Sequence, residues 1–119
     1  MQPYFFIRRD KKYVRVNYKD VVYIESVGNY VKIVMEKGIL LTIATLKELD
    51  SLLPPASFCR INRGCIVAVD RIVCFTKETV QLKNIELPLT NRCRKTLESR
   101  VTIIPAGQPT YTTPISRSI

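Results

Sequence analysis

The segment 58–70 constrains the fold more than any other, because its two halves differ in kind. The second half, from Cys65 to Val69, is an unbroken apolar run rich in β-branched residues, which is typical of a strand buried on both faces. The first half carries polar and cationic side chains ahead of a glycine that allows a sharp turn: Arg60, Asn62 and Arg63 before Gly64. The pattern predicts a rigid strand next to a cationic turn that suits ligand binding. A strand end with solvated arginines is the alternative.

The charge of the chain narrows the choice of partner. Its 119 residues fit a single domain, and 19 lysines and arginines against 10 acidic residues give a net charge of +9. Such an excess favours DNA, RNA or an anionic membrane surface, since solubility alone needs less charge. No apolar run approaches the length of a membrane span, and the amino terminus lacks the charged-then-apolar order of a signal peptide. We therefore expect a nucleic-acid partner, no membrane contact and a cytoplasmic location.

The cysteines and the missing histidines argue against a metal site and against catalysis. The chain has no histidine, and its four cysteines are scattered without a C-x-x-C pair: Cys59, Cys65, Cys74 and Cys93. We interpret them as small buried apolar residues in a reducing compartment, and we expect no metal and no cofactor. No nucleophile has a recognisable base partner, and no glycine-rich phosphate loop is present, so an enzyme is not expected.

Short alternating or apolar segments separated by polar turns predict a mostly-β chain. Segments 4–9 and 13–18 form a first antiparallel pair, 21–24 is a buried strand, and 31–36 and 39–43 form a hairpin with its turn at Lys37–Gly38. After segment 58–70, a meander of short strands is expected at 71–76, 79–82 and 85–87, with Pro88 at an edge or a strand end.

Two helices interrupt the strands. Thr45 and Glu48 form a capping box, and Pro54–Pro55 ends the helix that follows. Its apolar stripe is Leu46, Leu49, Leu52 and Leu53. Because its polar face is close to neutral, this helix is expected to cover the core and not to enter a DNA groove. A second, short helix is expected at 90–97, with Thr90 or Asn91 as its cap.

Three segments together resemble the LytTR family of bacterial DNA-binding domains. They are Tyr-Ile-Glu-Ser-x-Gly-Asn-Tyr-Val-x-Ile at 23–33, the Arg-hydrophobic-polar-Arg-small segment that runs into Ile-Val at 60–67, and Leu-Pro-Leu-Thr-Asn-Arg-Cys-Arg-Lys-x-Leu at 87–97. The likeness covers Tyr4 to Ile104. It implies an elongated stack of short antiparallel sheets with one amphipathic helix and a short C-terminal helix. We expect a LytTR-like domain over 1–104 and, because its composition is rich in Thr, Ser and Pro, a flexible tail over 105–119.

The resemblance also implies how the chain works: sequence-specific binding of double-stranded DNA by loops that enter successive major grooves, in a transcriptional regulator. The implied contact residues are Asn29, Tyr30, Lys32, Arg60, Asn62, Arg63, Thr90, Arg92 and Lys95. The family usually has His where Asn62 stands, often Ser where Gly64 stands, and usually Ser where Thr90 stands. Outside the resemblance, Asn29 could simply form a turn, and the Tyr30 ring could lie over the sheet.

Family members are commonly the output halves of two-component response regulators. The resemblance therefore implies paired repeat sites in DNA, a homodimer on DNA, and a receiver domain or sensor kinase outside this chain. Because Met1 stands almost at the first strand, we expect either a free-standing regulator or an output domain cut from a longer one.

Two other functions remain open from the residues alone. A small β-barrel could bind RNA or single strands, although Tyr13, Tyr23 and Tyr30 make a thin stacking platform. A protein-interaction module could offer a sheet edge to a peptide. Salt-sensitive binding of duplex DNA separates the first reading from both alternatives.

Overall fold

The computed structural model describes residues 2–105 and places them in three antiparallel sheets and two helices. The strands are β1 (Tyr4–Arg9), β2 (Lys12–Asn17), β3 (Val21–Val27), β4 (Tyr30–Met35), β5 (Gly38–Ile43), β6 (Phe58–Asn62), β7 (Cys65–Ala68), β8 (Cys74–Phe75), β9 (Thr79–Gln81) and β10 (Glu86–Pro88). The helices are α1 (Leu46–Leu52) and α2 (Asn91–Arg100). The predicted fold class is confirmed: the molecule is mostly β and elongated, with extents of 61 × 33 × 27 Å.

A central five-stranded sheet, in the order β5-β4-β3-β7-β6, divides the core in two. Neighbouring residues along its strands point to opposite faces. Ile24 and Ile66, which are paired across β3 and β7, belong to the core under α1 and the β1–β2 hairpin. Cys65 and Val67 point the other way, into the core formed with α2 and the three-stranded sheet β10-β9-β8. The run from Cys65 to Ala68 is buried throughout, as its apolar sequence predicted.

Helix α1 begins and ends where its capping box and the prolines after it predicted, but its buried apolar stripe is narrower than the predicted one. The Thr45 hydroxyl accepts from the Glu48 N–H at 3.1 Å, the Glu48 carboxylate accepts from the Thr45 N–H at 3.1 Å, and the helix stops before Pro54. The prediction is wrong for Leu52, which is 78% exposed. Leu46, Leu49 and Leu53 follow the i, i+3, i+7 spacing of one face, whereas Leu52 lies about 100° from Leu53 around the helix.

Several strands and helices begin or end at residues other than the predicted ones. The β3 strand continues to Val27, and the turn after β4 is at Glu36–Lys37, so Gly38 begins β5. The strand predicted at 71–76 is mostly absent, because a 3-10 turn at Val69–Arg71 leaves only Cys74–Phe75 to form β8. Pro88 ends β10, an edge strand, as expected. Helix α2 starts after Thr90 and runs three residues beyond the predicted Leu97, to Arg100. Most of the predicted tail, residues 106–119, lies outside the described residues.

The four thiols are not all buried. Cys59 and Cys65 lie in the core, whereas Cys74 is exposed and Cys93 is half-buried, so the prediction is wrong for Cys74 and only partly right for Cys93. Cys74 lies outside the core because β8 is only two residues long. Within residues 2–105 no three potential metal-ligating side chains cluster, and no helix is long and apolar enough to cross a membrane.

This difference in burial gives a testable order of thiol reactivity. Burial, helped by the nearby Glu25 charge, raises the pKa of the Cys65 thiol to about 12, and burial also raises the pKa of Cys59. At about pH 8 neither should form the reactive thiolate, whereas exposed Cys74 should be alkylated first. Peptide mass spectrometry after brief alkylation measures the order, and a denatured sample, in which all four cysteines react, is the control. Equal labelling of Cys65 and Cys74 in the folded protein would contradict the assignment.

Candidate nucleic-acid interface

Three connections meet at one end of the central sheet, and together they form what we call the three-loop surface. They are the β3–β4 turn at Gly28–Asn29, the β6–β7 turn at Arg63–Gly64, and the start of α2 at Thr90–Arg92. The Ser26 N–H donates to the Gly64 carbonyl at 2.9 Å, which joins the first connection to the second. The Thr90 N–H donates to the Ile61 carbonyl at 3.0 Å, which joins the third to β6. Three segments distant in sequence therefore have a fixed arrangement.

The amide of Asn62 holds the β6–β7 turn in place. Its Nδ2 donates to the Pro88 carbonyl at 2.7 Å, and its Oδ1 accepts from the Gly64 N–H at 2.7 Å. Gly64 does not have a positive φ, and a Cβ added there would meet only the Asn62 Oδ1, at an ordinary 3.7 Å. The expectation that this turn depends on glycine is therefore wrong, because the Asn62 amide supplies the constraint. A serine would fit here without strain.

Arg60 also supports this turn from within. Its Nε donates to the Asn62 carbonyl at 3.2 Å, and its Nη2 donates to the Arg63 carbonyl at 2.6 Å. These bonds fix the backbone on either side of the Arg63 Cα. Arg60 is half-buried, whereas Arg63 is exposed, and within residues 2–105 the Arg63 guanidinium has no hydrogen-bond or ion-pair partner. A firmly held backbone therefore presents an unoccupied guanidinium.

The start of α2 presents a second unoccupied guanidinium. The Thr90 hydroxyl accepts from the Cys93 N–H at 3.2 Å, so Thr90 is the helix cap and its backbone is tied to β6. Arg92, in the first turn of α2, is exposed and makes no side-chain hydrogen bond within the described chain. Arg94 differs, since it is half-buried and its guanidinium donates to Asn91 at 2.7 Å and to Glu98 at 3.1 Å.

Two clefts flank the β6–β7 turn and share Arg60 and Arg63. The cleft toward the β3–β4 turn has a volume of about 660 Å³ and is also lined by Asn29 and Tyr30. The cleft toward α2 has a volume of about 630 Å³ and is also lined by the following residues: Asn62, Thr90, Arg92 and Arg100. Seven of the nine predicted contact residues therefore line one continuous region around the three-loop surface.

Lys32 and Lys95 are the two that line neither cleft. Lys32 lies on β4 and forms an ion pair with Glu25 on β3 at 3.1 Å. The hydrogen bond to Glu25 and its negative charge raise the pKa of Lys32. Lys95 is exposed on α2, one helical turn from Arg92. Lys32 is thus occupied within the sheet, while Lys95 stands beside the cleft.

Sequence reasoning missed two cations that line the clefts. Lys47 on α1 lines the cleft toward the β3–β4 turn, although the polar face of α1 is nearly neutral as a whole. Arg100 lines the other cleft, and its Nη1 donates to the Phe58 carbonyl at 2.9 Å. Arg100 lies eight residues after Arg92, and that helical spacing was the signal that could have placed both on one face.

Comparison with known proteins shows the family and the fold of this chain. The model of the LytTr DNA-binding domain family matches residues 11–102. A solved structure described as the LytTr DNA-binding domain of a methyl-accepting/DNA response regulator from Bacillus cereus superimposes with a TM-score of 0.66 at 23% sequence identity. The superposition covers 82% of this chain and 99% of that one, and it shows a shared fold. A search of curated proteins gave no match. Because the family model covers most of the chain, the protein belongs to the LytTR family of DNA-binding domains.

Proposed function

We propose that this DNA-binding domain regulates transcription by placing the three-loop surface in the major groove of double-stranded DNA. The observation that carries the proposal is the pair of unoccupied guanidinium groups, Arg63 and Arg92, around one cleft. A guanidinium can grip guanine O6 and N7 together, and its fixed fork makes that grip selective. In this proposal Arg63 and Arg92 read bases.

The other candidates take different roles in the proposal. Arg60, Asn62 and Thr90 hold the loops, because their polar atoms already bond to the backbone. Asn62 keeps one N–H and one lone pair for a phosphate or a base. Asn29 and Tyr30 approach the DNA from the neighbouring turn, where Gly28 adopts a φ of +60°. Lys95 contacts phosphate as a flexible point charge. Lys32 makes no DNA contact and contributes only to the electrostatic potential around the sheet.

The domain is proposed to act in the cytoplasm as a homodimer on paired repeat sites. A receiver domain or a sensor kinase would supply its signal from outside this chain. The net charge of +9 supports binding to a polyanionic partner. The family match gives no support to the single-strand or peptide-binding alternatives.

The salt dependence of duplex binding tests the DNA proposal. About four or five phosphate contacts should give a log–log slope of affinity against salt near −4, because each contact contributes about −0.9. Fluorescence anisotropy with a duplex selected from random sequences measures the slope. The same strand in single-stranded form is the control, and it should bind more weakly. Failure to bind duplex at low salt, or equal affinity for the single strand, would reject the proposal.

A further inference from the structure

The outer face of the β1–β2 hairpin carries aromatic and cationic side chains in alternation. The register pairs Phe6 with Arg15 and Arg8 with Tyr13, so these four side chains lie on one face, which we call the hairpin face. Ile7, on the opposite face, is buried in the core, so the hairpin face points away from the core. Phe6 is 50% exposed and Tyr13 is 69% exposed, and both arginines are exposed as well. Two rings and two cations are therefore open to a ligand on one surface.

Arg15 shows that planar groups stack on the hairpin face. The carbon of its guanidinium lies 4.3 Å from the centre of the Tyr4 ring and 5.6 Å from the centre of the Phe6 ring. The Tyr4 and Phe6 rings meet edge to face at 5.9 Å. Tyr13 forms no ring pair with any other residue of 2–105. The Tyr13 ring and the solvent side of the Arg15 guanidinium are therefore free to stack with a planar group of a ligand.

The hairpin is also strongly cationic. Residues 4–17 contain one acid, Asp10, and the following five cations: Arg8, Arg9, Lys11, Lys12 and Arg15. All six side chains are exposed, and none forms an ion pair with another described residue. At the base of the hairpin stand Lys19 and Asp70, and also Asp20, which accepts from the Asn17 amide at 3.4 Å. Six cations against three acids leave an excess of three, so the hairpin and its base attract a polyanion.

The hairpin face leads into a cleft at its base. The cleft has a volume of about 590 Å³, which lies in the ~300–1,000 Å³ range of small-ligand sites. Tyr4 and Arg15 line it from the hairpin, and Ser57 and Asp70 line it from the segments before β6 and after β7. The Asp70 carboxylate has no hydrogen-bond or ion-pair partner within residues 2–105. The cleft therefore places a free hydrogen-bond acceptor next to the cationic face.

This cleft and the three-loop surface lie at opposite ends of the central sheet. The 3-10 turn after the hairpin leads into Val21, and the three-loop surface begins after Val27, at the other end of β3. A strand of seven residues separates these ends by about 20 Å. Likewise Phe58, the first residue of β6, lines the cleft, whereas Asn62, the last, belongs to the three-loop surface. Among the described residues, none lines both this cleft and the clefts beside the three-loop surface, so the two sites are separate.

We infer that the hairpin face and its cleft bind single-stranded RNA, as a second site apart from the three-loop surface. A single strand offers phosphates to the cations and unstacked bases to the rings. Duplex DNA or an acidic peptide would meet the cations but leave the exposed rings without a partner, since the bases of a duplex stack on one another. An anionic membrane would need apolar side chains at the hairpin tip, where the following residues stand: Arg9, Asp10, Lys11 and Lys12. RNA is favoured over single-stranded DNA because the Asp70 carboxylate can accept a hydrogen bond from a ribose 2′-hydroxyl.

Fluorescence anisotropy of the full chain with a mixed-sequence RNA of about ten nucleotides, and with DNA of the same sequence, tests the inference. The wild type should bind the RNA about 5-fold more tightly than the DNA, because only RNA donates a hydroxyl to Asp70. Tyr13→Ala should weaken RNA binding about 10-fold, the usual loss for one base–ring stack. Tyr13→Phe is the matched control, since it keeps the ring and should bind like the wild type. Asp70→Ala should remove the preference for RNA.

Two further measurements separate this site from the DNA site. Tyr13→Ala should leave the affinity for the selected duplex unchanged, because Tyr13 lines neither cleft of the three-loop surface. A saturating amount of that duplex should not displace the RNA. RNA binding at the hairpin is independent of duplex binding, so the comparison of Tyr13→Ala with Tyr13→Phe decides it even if the chain binds no duplex.

Four results would overturn the inference. They are a wild type that binds no RNA at low salt, an RNA affinity that Tyr13→Ala leaves unchanged, displacement of the RNA by the duplex, and DNA that binds as tightly as the RNA. Tighter binding of poly-glutamate or of anionic phospholipid vesicles, lost in Tyr13→Ala, would overturn it in favour of an acidic protein or a membrane. Circular dichroism shows whether each variant is folded. If Tyr13→Ala unfolds, Arg8→Gln on the same face replaces it and should also weaken RNA binding.

Discussion

Arg63→Ala and Arg92→Ala should each lower the affinity for the selected duplex by about 10- to 100-fold, which corresponds to the roughly 1–3 kcal/mol of a bidentate guanine contact. Affinity for a scrambled duplex should fall only a few-fold, because that complex loses one positive charge near the phosphates but no base contact. Neither guanidinium bonds to the described part of the protein, so thermal stability should not change. Competition between the two duplexes at two salt concentrations measures the ratio.

Lys95→Ala is the matched control for the arginine variants. It removes one positive charge beside the same cleft, from an exposed position on the same helix as Arg92. We expect it to weaken binding to both duplexes about equally and to make the salt slope shallower by about 0.9. If the two arginine variants behave like Lys95→Ala, then Arg63 and Arg92 contact phosphate and the bases are read elsewhere, starting with Asn29 and Tyr30.

Leu97→Ala should destabilise the domain by about 2–5 kcal/mol, the usual cost of truncating a fully buried leucine. The Leu97 side chain is 0% exposed and packs α2 against β6, β7 and the three-stranded sheet. Urea unfolding followed by circular dichroism measures the loss. Because α2 carries Arg92, DNA affinity should also fall near the unfolding midpoint and recover at lower temperature.

Leu52→Ala is the control for Leu97→Ala, since the two residues are both leucines within helices. Leu52 is 78% exposed, so its truncation should change the free energy of unfolding by less than about 0.5 kcal/mol. A large loss for Leu52→Ala would mean that α1 packs through the wider stripe that its sequence predicted. A small loss for Leu97→Ala would mean that α2 is not anchored as the structure shows.

Local signals in the sequence were sufficient for much of the fold. The capping box of Thr45 and Glu48, the prolines after α1, and the apolar run from Cys65 each act over a few residues, and each was predicted correctly. The prediction of a strand at 71–76 was wrong over most of its length. The apolar character of residues such as Val73 favoured a strand, but it does not reveal the 3-10 turn that comes just before. The prediction that Leu52 belongs to the buried stripe was wrong because Leu52, at the end of a seven-residue helix, lies outside the buried face.

The candidate site was only partly predictable, for a physical reason. Composition and turn signals can place Arg60, Asn62 and Arg63 near a turn, but the sequence does not show which side chains are already bonded. The long-range bond from Asn62 to the Pro88 carbonyl joins residues 26 positions apart, and that contact separates a supporting side chain from a free one. Arg100 was not predicted as a site residue because α2 extends beyond its predicted end.

The division of labour among the arginines has an evolutionary consequence. Arg60 bonds to the backbone of its own turn, so changing it costs folding free energy whatever the DNA target is. Arg63 and Arg92 make no such bonds, so their replacement is nearly neutral for stability. If Arg63 and Arg92 read bases as proposed, target preference can diverge at these two positions without a compensating change in the scaffold. Duplicated copies of such a gene could acquire separate regulons through a few substitutions in the loops.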